Sequence, residues 1–196
     1  MRRLEAIVLA AGAGSRFGGG KLLAHWGDCP LIEGALAAAF AAPVRGVHVV
    51  WGADPAVPEA ATAFAASLGR LDRLRLTHSA RHAEGLSASL AAGVAGLPED
   101  AAGVFIFLGD MPCIPVELAS PMAEALAAGA EAVATTFEGR RGHPVLFGRA
   151  LWPQLQALQG DKGAGQLLSA LGDRLRLIPS PNSGVLFDVD RVTDLG

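Results

Sequence analysis

The chain has 196 residues, of which 51% are hydrophobic and 18% charged, and its formal net charge is −3. This length and apolar content can bury a full core and exclude intrinsic disorder, so we expect one folded domain over residues 1–196. The charge balance argues against non-specific binding to nucleic acid, and no run approaches the roughly 20 apolar residues of a membrane span, so neither partner is expected.

Short apolar runs bounded by turn residues predict the strands of the first half of the chain. These strands cover residues 6–11, 47–52 and 104–108. Helix-length stretches lie between them: one begins after Pro30 and keeps helical spacing through Phe40, and another covers residues 86–94. Strands that alternate with helices predict right-handed crossovers and an open, doubly wound sheet.

The second half of the chain is less regular. The pair Ser120-Pro121 predicts an N-cap and first turn for a helix that ends at Gly129. The further predicted strands are residues 132–137, 145–147, 175–178 and 185–189, and the further predicted helices are residues 151–158 and 164–171. No internal repeat and no low-complexity linker interrupts the chain.

Two polar segments follow predicted strands directly. Residues 12–21 follow the first strand, and Gly109-Asp110 follows the run 104–108. In open α/β sheets, ligands bind at the carboxyl ends of the strands. Both segments are therefore expected on one edge of the sheet.

The first of these segments holds five glycines together with Arg16 and Lys21. It is not a P-loop, because Ser15 stands at the required first glycine and Leu22 replaces the hydroxyl residue. It is not a dinucleotide fingerprint either, because Phe17 stands at the third glycine. Glycines let backbone N–H groups form an anion nest, and the two cations add full charges, so a triphosphate is the expected ligand. A triphosphate implies Mg²⁺, for which the strand-end carboxylate of Asp110 is the candidate ligand.

The segment Leu9-Ala10-Ala11-Gly12-Ala13-Gly14-Ser15-Arg16, continued by Gly18 and Lys21, resembles the signature loop of nucleotidyltransferases that make nucleotide sugars and molybdopterin dinucleotides. The resemblance implies a three-layer α/β/α, Rossmann-like fold with a mostly parallel mixed sheet. It also implies that the loop binds the nucleotide and that Arg16, Lys21 and Asp110 are catalytic. Residues 108–112 resemble the family's metal-binding Asp segment. Residues 187–190 are similar to its C-terminal acidic segment, which favours Asp190 over Asp188 as second metal ligand.

Residues 84–90, 141–147 and 160–164 resemble segments of the molybdenum cofactor cytidylyltransferases. This resemblance implies that Gly85, Leu86 and Ser87 contact the nucleotide and that His143, Asp161 and Lys162 contact the acceptor. The implied reaction transfers CMP from CTP to molybdopterin and releases pyrophosphate. A molybdoenzyme that receives the finished cofactor is the implied protein partner.

The sequence departs from the family pattern at Gly165, where an arginine is common, and at Arg191-Val192, where Thr-Pro is usual. Three alternatives therefore stay open: a guanylyltransferase, a nucleotidyltransferase for sugar or polyol phosphates, and a non-catalytic chaperone that binds the molybdenum cofactor. Two distant cysteines without a metal-ligand pattern fit a reducing compartment. With no recognisable signal peptide, the expected location is the cytoplasm.

Overall fold

The computed structural model describes residues 3–160 and 164–195. The strands of its main sheet are β1 (Leu4–Ala10), β4 (Val47–Trp51), β5 (Leu74–His78), β6 (Gly103–Leu108), β7 (Ala132–Phe137), β8 (Arg140–Gly148) and β9 (Leu175–Pro179). Their order across the sheet is β5-β4-β1-β6-β8-β7-β9. Among the described strands of this sheet, β8 alone runs antiparallel to its neighbours. A short hairpin of β2 (His25–Trp26) and β3 (Cys29–Pro30) lies outside this sheet.

Helices cover both faces of the sheet. They are α1 (Ile32–Ala41), α2 (Val57–Ser67), α3 (Leu86–Ala95), α4 (Ala119–Ala127), α5 (Trp152–Gln156) and α6 (Gly165–Ala170). Side chains of β1 alternate between two apolar cores: Val8 packs with α1, α2 and α4, and Ile7 packs with α3 and α5. The predicted α/β class with a mostly parallel mixed sheet between two helical layers is thereby confirmed. No helix in the described ranges has both the length and the apolar character to cross a membrane.

The structure corrects the predicted strand at residues 185–189. Residues Ser183–Leu186 form a 3-10 turn, which the Asn182 side chain caps by accepting a hydrogen bond from the Gly184 N–H at 2.9 Å. Val185 and Val189 are buried, and this apolar spacing imitates a strand. The chain packs tightly at this turn, since a Cβ at Gly142 would lie 2.1 Å from the Val185 carbonyl oxygen.

Other departures are smaller. Helix α4 begins at Ala119, with Leu118 at the N-cap, so Ser120 lies inside the helix and does not cap it. The prediction missed α2 and the edge strand β5. Two of the five β5 residues are partly buried and three are exposed, so β5 lacks the continuous apolar run of a central strand.

A buried ionic cluster lies at the amino ends of the central strands, on the edge opposite the glycine loop. Glu5 on β1 is 2% exposed, and its Oε2 lies 3.3 Å from His48 Nε2 on β4. Arg45 approaches Glu5 Oε1 at 2.7 Å and also pairs with Asp100. Burial lowers the pKa of His48, although the Glu5 carboxylate opposes this shift.

Candidate active site at the glycine loop

The two polar segments meet because β1 and β6 are adjacent and parallel. Leu9 stands opposite Leu108 in the register, and the Gly109 N–H donates to the Leu9 carbonyl at 2.9 Å. A Cβ at Gly109 would lie 3.1 Å from that carbonyl oxygen, so a glycine allows the close approach. The turn after β6 therefore places Asp110 at the carboxyl end of β1, next to the glycine loop.

The glycine loop turns around the Gly14 carbonyl. Gly14 has a φ of 58°, and its carbonyl accepts hydrogen bonds from the backbone N–H groups of residues 17, 18 and 19. These three N–H groups are therefore used inside the loop. In the described chain, the N–H groups of residues 12–16 donate to no protein acceptor. The backbone N–H groups that remain for the anion nest expected from the sequence are therefore those in the first half of the loop.

Lys21 begins a 3-10 turn that follows Gly20, whose φ is 65°. The next residue, Leu22, is buried and anchors the turn to the core. From this fixed position, Lys21 Nζ donates to Asp110 Oδ2 at 2.6 Å. The two side chains are only 14% and 25% exposed, so the pair is well shielded from water.

Arg16 and Asp190 form a second pair between the loop and the C-terminal segment, with a distance of 3.0 Å between Arg16 Nη1 and Asp190 Oδ2. The Val189 N–H donates to the Asp110 carbonyl at 3.0 Å, which places Asp190 beside the Asp110 segment. Asp194 Oδ2 accepts from the backbone N–H groups of Asp190 and Arg191, and these contacts lower the pKa of Asp194. The Arg16 and Asp190 side chains are 74% and 42% exposed, so this pair is open to solvent.

A cavity of about 520 Å³, here called the loop cavity, opens between the glycine loop, Asp110 and the start of α3. Its lining contains most residues that the sequence assigned to the nucleotide and the metal: Leu9, Ala10, Ala11, Gly12, Ala13, Gly14, Ser15, Lys21, Gly85, Leu86 and Asp110. Five further lining residues had no site role assigned from the sequence: Leu22, His82, Ala83, Ser89 and Leu108.

One of these five residues, Ser89, could have been found from a local signal. Ser89 follows Gly85, the N-cap of α3, by four residues, and helical spacing places both on one side of the helix. His82 has no such local signal, because its position depends on a tertiary contact. It packs so closely on Gly52 that a Cβ at Gly52 would lie 2.6 Å from His82 Cβ. Ser87 does not line the loop cavity; its side chain is fully buried, and its backbone N–H donates to the Gly160 carbonyl at 3.3 Å.

The residues assigned to the acceptor lie elsewhere. His143 is on β8, with its Nδ1 3.3 Å from the Ile106 carbonyl oxygen, and it does not line the loop cavity. Burial lowers the pKa of His143, while the carbonyl contact and the carboxylates of Asp110 and Asp188 act in the opposite direction. Asp161 and Lys162 lie outside the described residues.

The metal ligands predicted from the sequence are the carboxylates of Asp110 and Asp190. Among residues 3–160 and 164–195, no group of three or more His, Cys, Asp or Glu side chains could hold a metal ion. Mg²⁺ at nucleotide sites takes one or two carboxylates and completes its shell with phosphate oxygens and water. This pair of oxygen donors beside a glycine loop fits that requirement.

The chain is similar to one protein-family model and to several solved structures. Residues 6–175 match the model of the MobA-like NTP transferase domain. A crystal structure of an Rv0371c homolog from Mycobacterium sp. strain JC1 is 30% identical, with a TM-score of 0.79 over 99% of this chain and 94% of that one. No curated protein matches the chain significantly in sequence.

Two more distant structures share the fold. Rv0371c of Mycobacterium tuberculosis H37Rv in complex with manganese is 22% identical, with a TM-score of 0.69 over 91% of this chain and 88% of that one. The 4-diphosphocytidyl-2C-methyl-D-erythritol synthase of Anaerococcus prevotii is 15% identical, with a TM-score of 0.78 over 99% and 93%. Because the family model spans most of the chain, the protein belongs to the MobA-like NTP transferase domain family of nucleotidyltransferases, which use nucleoside triphosphates.

Proposed function

We propose that this protein transfers CMP from CTP to the phosphate of a molybdopterin-type acceptor and releases pyrophosphate. The observation that carries the proposal is the contact between Lys21 Nζ and Asp110 Oδ2 at 2.6 Å in the wall of the loop cavity. A phosphate-binding cation and a strand-end carboxylate are thus held together beside a glycine loop with free N–H donors. Nucleotidyl transfer requires these groups in one place.

In the proposed reaction, an oxygen of the acceptor phosphate attacks the α-phosphorus of CTP. The new bond joins that oxygen to the α-phosphorus, and the bond from the α-phosphorus to the bridging oxygen breaks, so pyrophosphate leaves with the electron pair. The protein supplies no nucleophile. Its contribution is positioning and charge stabilisation by the N–H groups of residues 12–16 and by Lys21. The exposed Arg16 stabilises charge that develops on the leaving pyrophosphate.

The two ion pairs exchange partners when the nucleotide binds. In the free protein, Lys21 and Arg16 are neutralised by Asp110 and Asp190. Phosphate oxygens compete for both cations, which leaves the two carboxylates as ligands for a divalent ion. Mg²⁺ bound there would draw charge from the phosphate oxygens as a Lewis acid. The manganese complex of Rv0371c supports the proposed use of a divalent metal.

Cytosine and the molybdopterin-type acceptor are proposed from the likeness of residues 84–90 and 141–147 to the cytidylyltransferases. The first of these segments supplies Gly85, Leu86 and Ser89 to the wall of the loop cavity. The Ser89 hydroxyl lies 3.3 Å from the Ser79 hydroxyl, so it is held in place at this wall. A fixed hydroxyl beside open backbone suits the polar edge of a nucleobase.

The test begins with thermal-shift measurements of the purified protein with each of the four nucleoside triphosphates, with and without Mg²⁺. A triphosphate at about 100 times its dissociation constant should add about 2.7 kcal/mol to the free energy of unfolding. Molybdopterin is then supplied with CTP or GTP, and dinucleotide and pyrophosphate are quantified. CTP should give the dinucleotide. A protein that Mg²⁺ and triphosphates leave unshifted, or that forms the dinucleotide only with GTP, would contradict the proposal.

A further inference from the structure

Residues 187–190 lack the backbone ladder that would hold them in place as a strand. Apart from bonds within local turns, they make one backbone–backbone hydrogen bond in the described chain, from the Val189 N–H to the Asp110 carbonyl at 3.0 Å. Val189 itself is fully buried. The position of Asp190, which pairs with Arg16, therefore depends largely on side-chain packing.

An aromatic pair lies at the start of these residues. The Phe187 ring packs against the Trp26 ring, with 5.4 Å between the ring centroids and an angle of 46° between the ring planes. Both side chains are partly buried. Rings at this distance attract each other beyond the effect of the area that they bury. The pair therefore ties residues 187–190 to the part of the chain that carries Trp26.

The hairpin of β2 and β3 carries Trp26 and follows the Lys21–Leu23 turn. Behind the hairpin, the Leu31 N–H donates to the Ala24 carbonyl at 2.9 Å, and Leu31 is fully buried, so both ends of the hairpin are fixed. The ring contact thus connects a fixed stretch beside the glycine loop with residues 187–190.

Phe187 lies between two contacts that the C-terminal part of the chain makes with the turn after β6. The first is at Gly184, where an added Cβ would overlap the Cys113 carbonyl. The second is the bond from the Val189 N–H to the Asp110 carbonyl. Packing of the Phe187 ring restricts how the chain runs from the first contact to the second.

We infer that Trp26 and Phe187 are positioning residues, whose ring contact holds Asp190 toward the glycine loop and thereby strengthens binding of a metal-bound triphosphate. Neither side chain belongs to the described lining of the loop cavity. This inference rests on the proposed function for the role of Asp190 as a metal ligand, and it deepens that proposal. Loss of the ring contact should weaken binding of the metal-bound triphosphate. It should not weaken binding of the metal-free triphosphate, because a displaced Asp190 no longer competes for Arg16.

The experiment measures CTP binding to the whole protein by titration calorimetry, once in EDTA and once in saturating MnCl₂. The ratio of the two affinities is the gain from the metal. Phe187→Leu keeps an apolar side chain and removes the ring. Its ratio should fall about twofold to tenfold, the factor that corresponds to one aromatic pair, while its CTP affinity in EDTA should not fall. Trp26→Leu should give the same result from the other side of the contact.

Conservative and matched variants serve as controls. Phe187→Tyr and Trp26→Phe each keep two rings in contact, so both should retain the wild-type ratio. Phe64→Leu is the matched control, because Phe64 is partly buried, packs on Phe40 with 6.3 Å between ring centroids and is outside the described lining of the loop cavity. It should change neither affinity. Thermal melts establish that each variant is folded, and Trp26→Leu decides the matter if Phe187→Leu is not.

A double variant tests whether the effect passes through Asp190. Asp190→Ala should lower the ratio by itself. In the Asp190→Ala background, Phe187→Leu should lower the ratio no further, because the carboxylate that the ring positions is already absent.

An equal loss of CTP affinity in EDTA and in MnCl₂ in Phe187→Leu would overturn the inference, because that pattern reports a general deformation of the site. An undiminished further loss in the Asp190→Ala background would do the same. If MnCl₂ strengthens binding of another triphosphate but not of CTP, CMP transfer fails as a proposal, and a ratio for that triphosphate that falls in Phe187→Leu supports the inference. CMP transfer together with a wild-type ratio in Phe187→Leu has the reverse meaning. No gain from MnCl₂ with any triphosphate would contradict both.

Discussion

Asp110→Asn should have opposite effects on nucleotide binding and on transfer. In the free protein, the Asp110 carboxylate holds Lys21 Nζ at 2.6 Å, and the two side chains are 25% and 14% exposed. A triphosphate must displace this carboxylate from Lys21, and hydrogen bonds of charged groups contribute about 1.5–3 kcal/mol. The substitution releases Lys21 and removes a like charge from beside the phosphates. After a discount for partial exposure, we expect metal-free affinity for CTP to rise about tenfold, or about 1.4 kcal/mol.

Transfer in saturating Mg²⁺ should fall in the same variant, because the proposed metal loses a carboxylate ligand. Loss of one fixed stabilising group in other enzymes costs about 2.7–4 kcal/mol, so we expect the rate to fall by about a hundredfold to a thousandfold. Lys21→Ala provides the contrast, since it should weaken CTP binding without metal and also slow transfer. The affinity for metal-free CTP should therefore rise in Asp110→Asn and fall in Lys21→Ala.

The assay is titration calorimetry with CTP in EDTA, followed by pyrophosphate release in Mg²⁺. Asp173→Asn, an exposed carboxylate in the turn before β9, is the control and should leave both values unchanged. If Asp110→Asn bound metal-free CTP no more tightly than the wild type, the Asp110 carboxylate would not compete with the triphosphate for Lys21. If it also retained full transfer, Asp110 would have no place in the site.

Three further outcomes are expected. Arg16→Ala should slow pyrophosphate release but leave Tm unchanged, because exposed ion pairs contribute only about 0–1 kcal/mol; a large fall in Tm would contradict this. Gly34→Ala would place a Cβ 2.4 Å from the Pro112 carbonyl oxygen and should lower the free energy of unfolding by about 1–3 kcal/mol. Each kcal/mol should lower Tm by about 2–4 °C. Gly165→Ala is the control and should not lower Tm, because a Cβ at Gly165 meets no atom within 4 Å. Burial lowers the pKa of His48 from 6.5, so the unfolded chain binds more protons, and stability should fall as pH drops through 6.5 toward the folded-state pKa. In His48→Gln, Tm should fall less steeply than in the wild type as the pH is lowered from about 8 to about 5. An unchanged slope would show that His48 is not the source of the acid sensitivity.

Much of the candidate site could be predicted from local sequence. The glycine loop follows a continuous apolar strand, and Asp110 comes shortly after another. Since the carboxyl ends of parallel strands share an edge, a common edge for both segments follows from chain order and strand type. Their direct contact requires in addition that β1 and β6 become neighbours. The 2.6 Å contact between Lys21 and Asp110 agrees with that expectation.

Other parts of the site depend on contacts that local sequence does not encode. The C-terminal segment has the apolar alternation of a strand, yet close packing of Gly142 on Val185 goes with a 3-10 turn there. A serine such as Ser87 can hydrogen-bond to a nucleotide, but Ser87 lies on the buried face of α3. Ser89 lines the loop cavity instead. The pairing of Glu5 with His48 likewise arises only when β1 and β4 become neighbours.

The sequence by itself determined the alternation of strands and helices, the order of the residues proposed to bind phosphate and the carboxylate at the end of β6. These features depend on hydrophobic spacing and on residue types within short segments. The tertiary structure decided that Arg16 meets Asp190, 174 positions away, and that Trp26 packs against Phe187. Such contacts depend on which strands become neighbours and on how helices pack across them, and both are set by the whole core rather than by any local pattern.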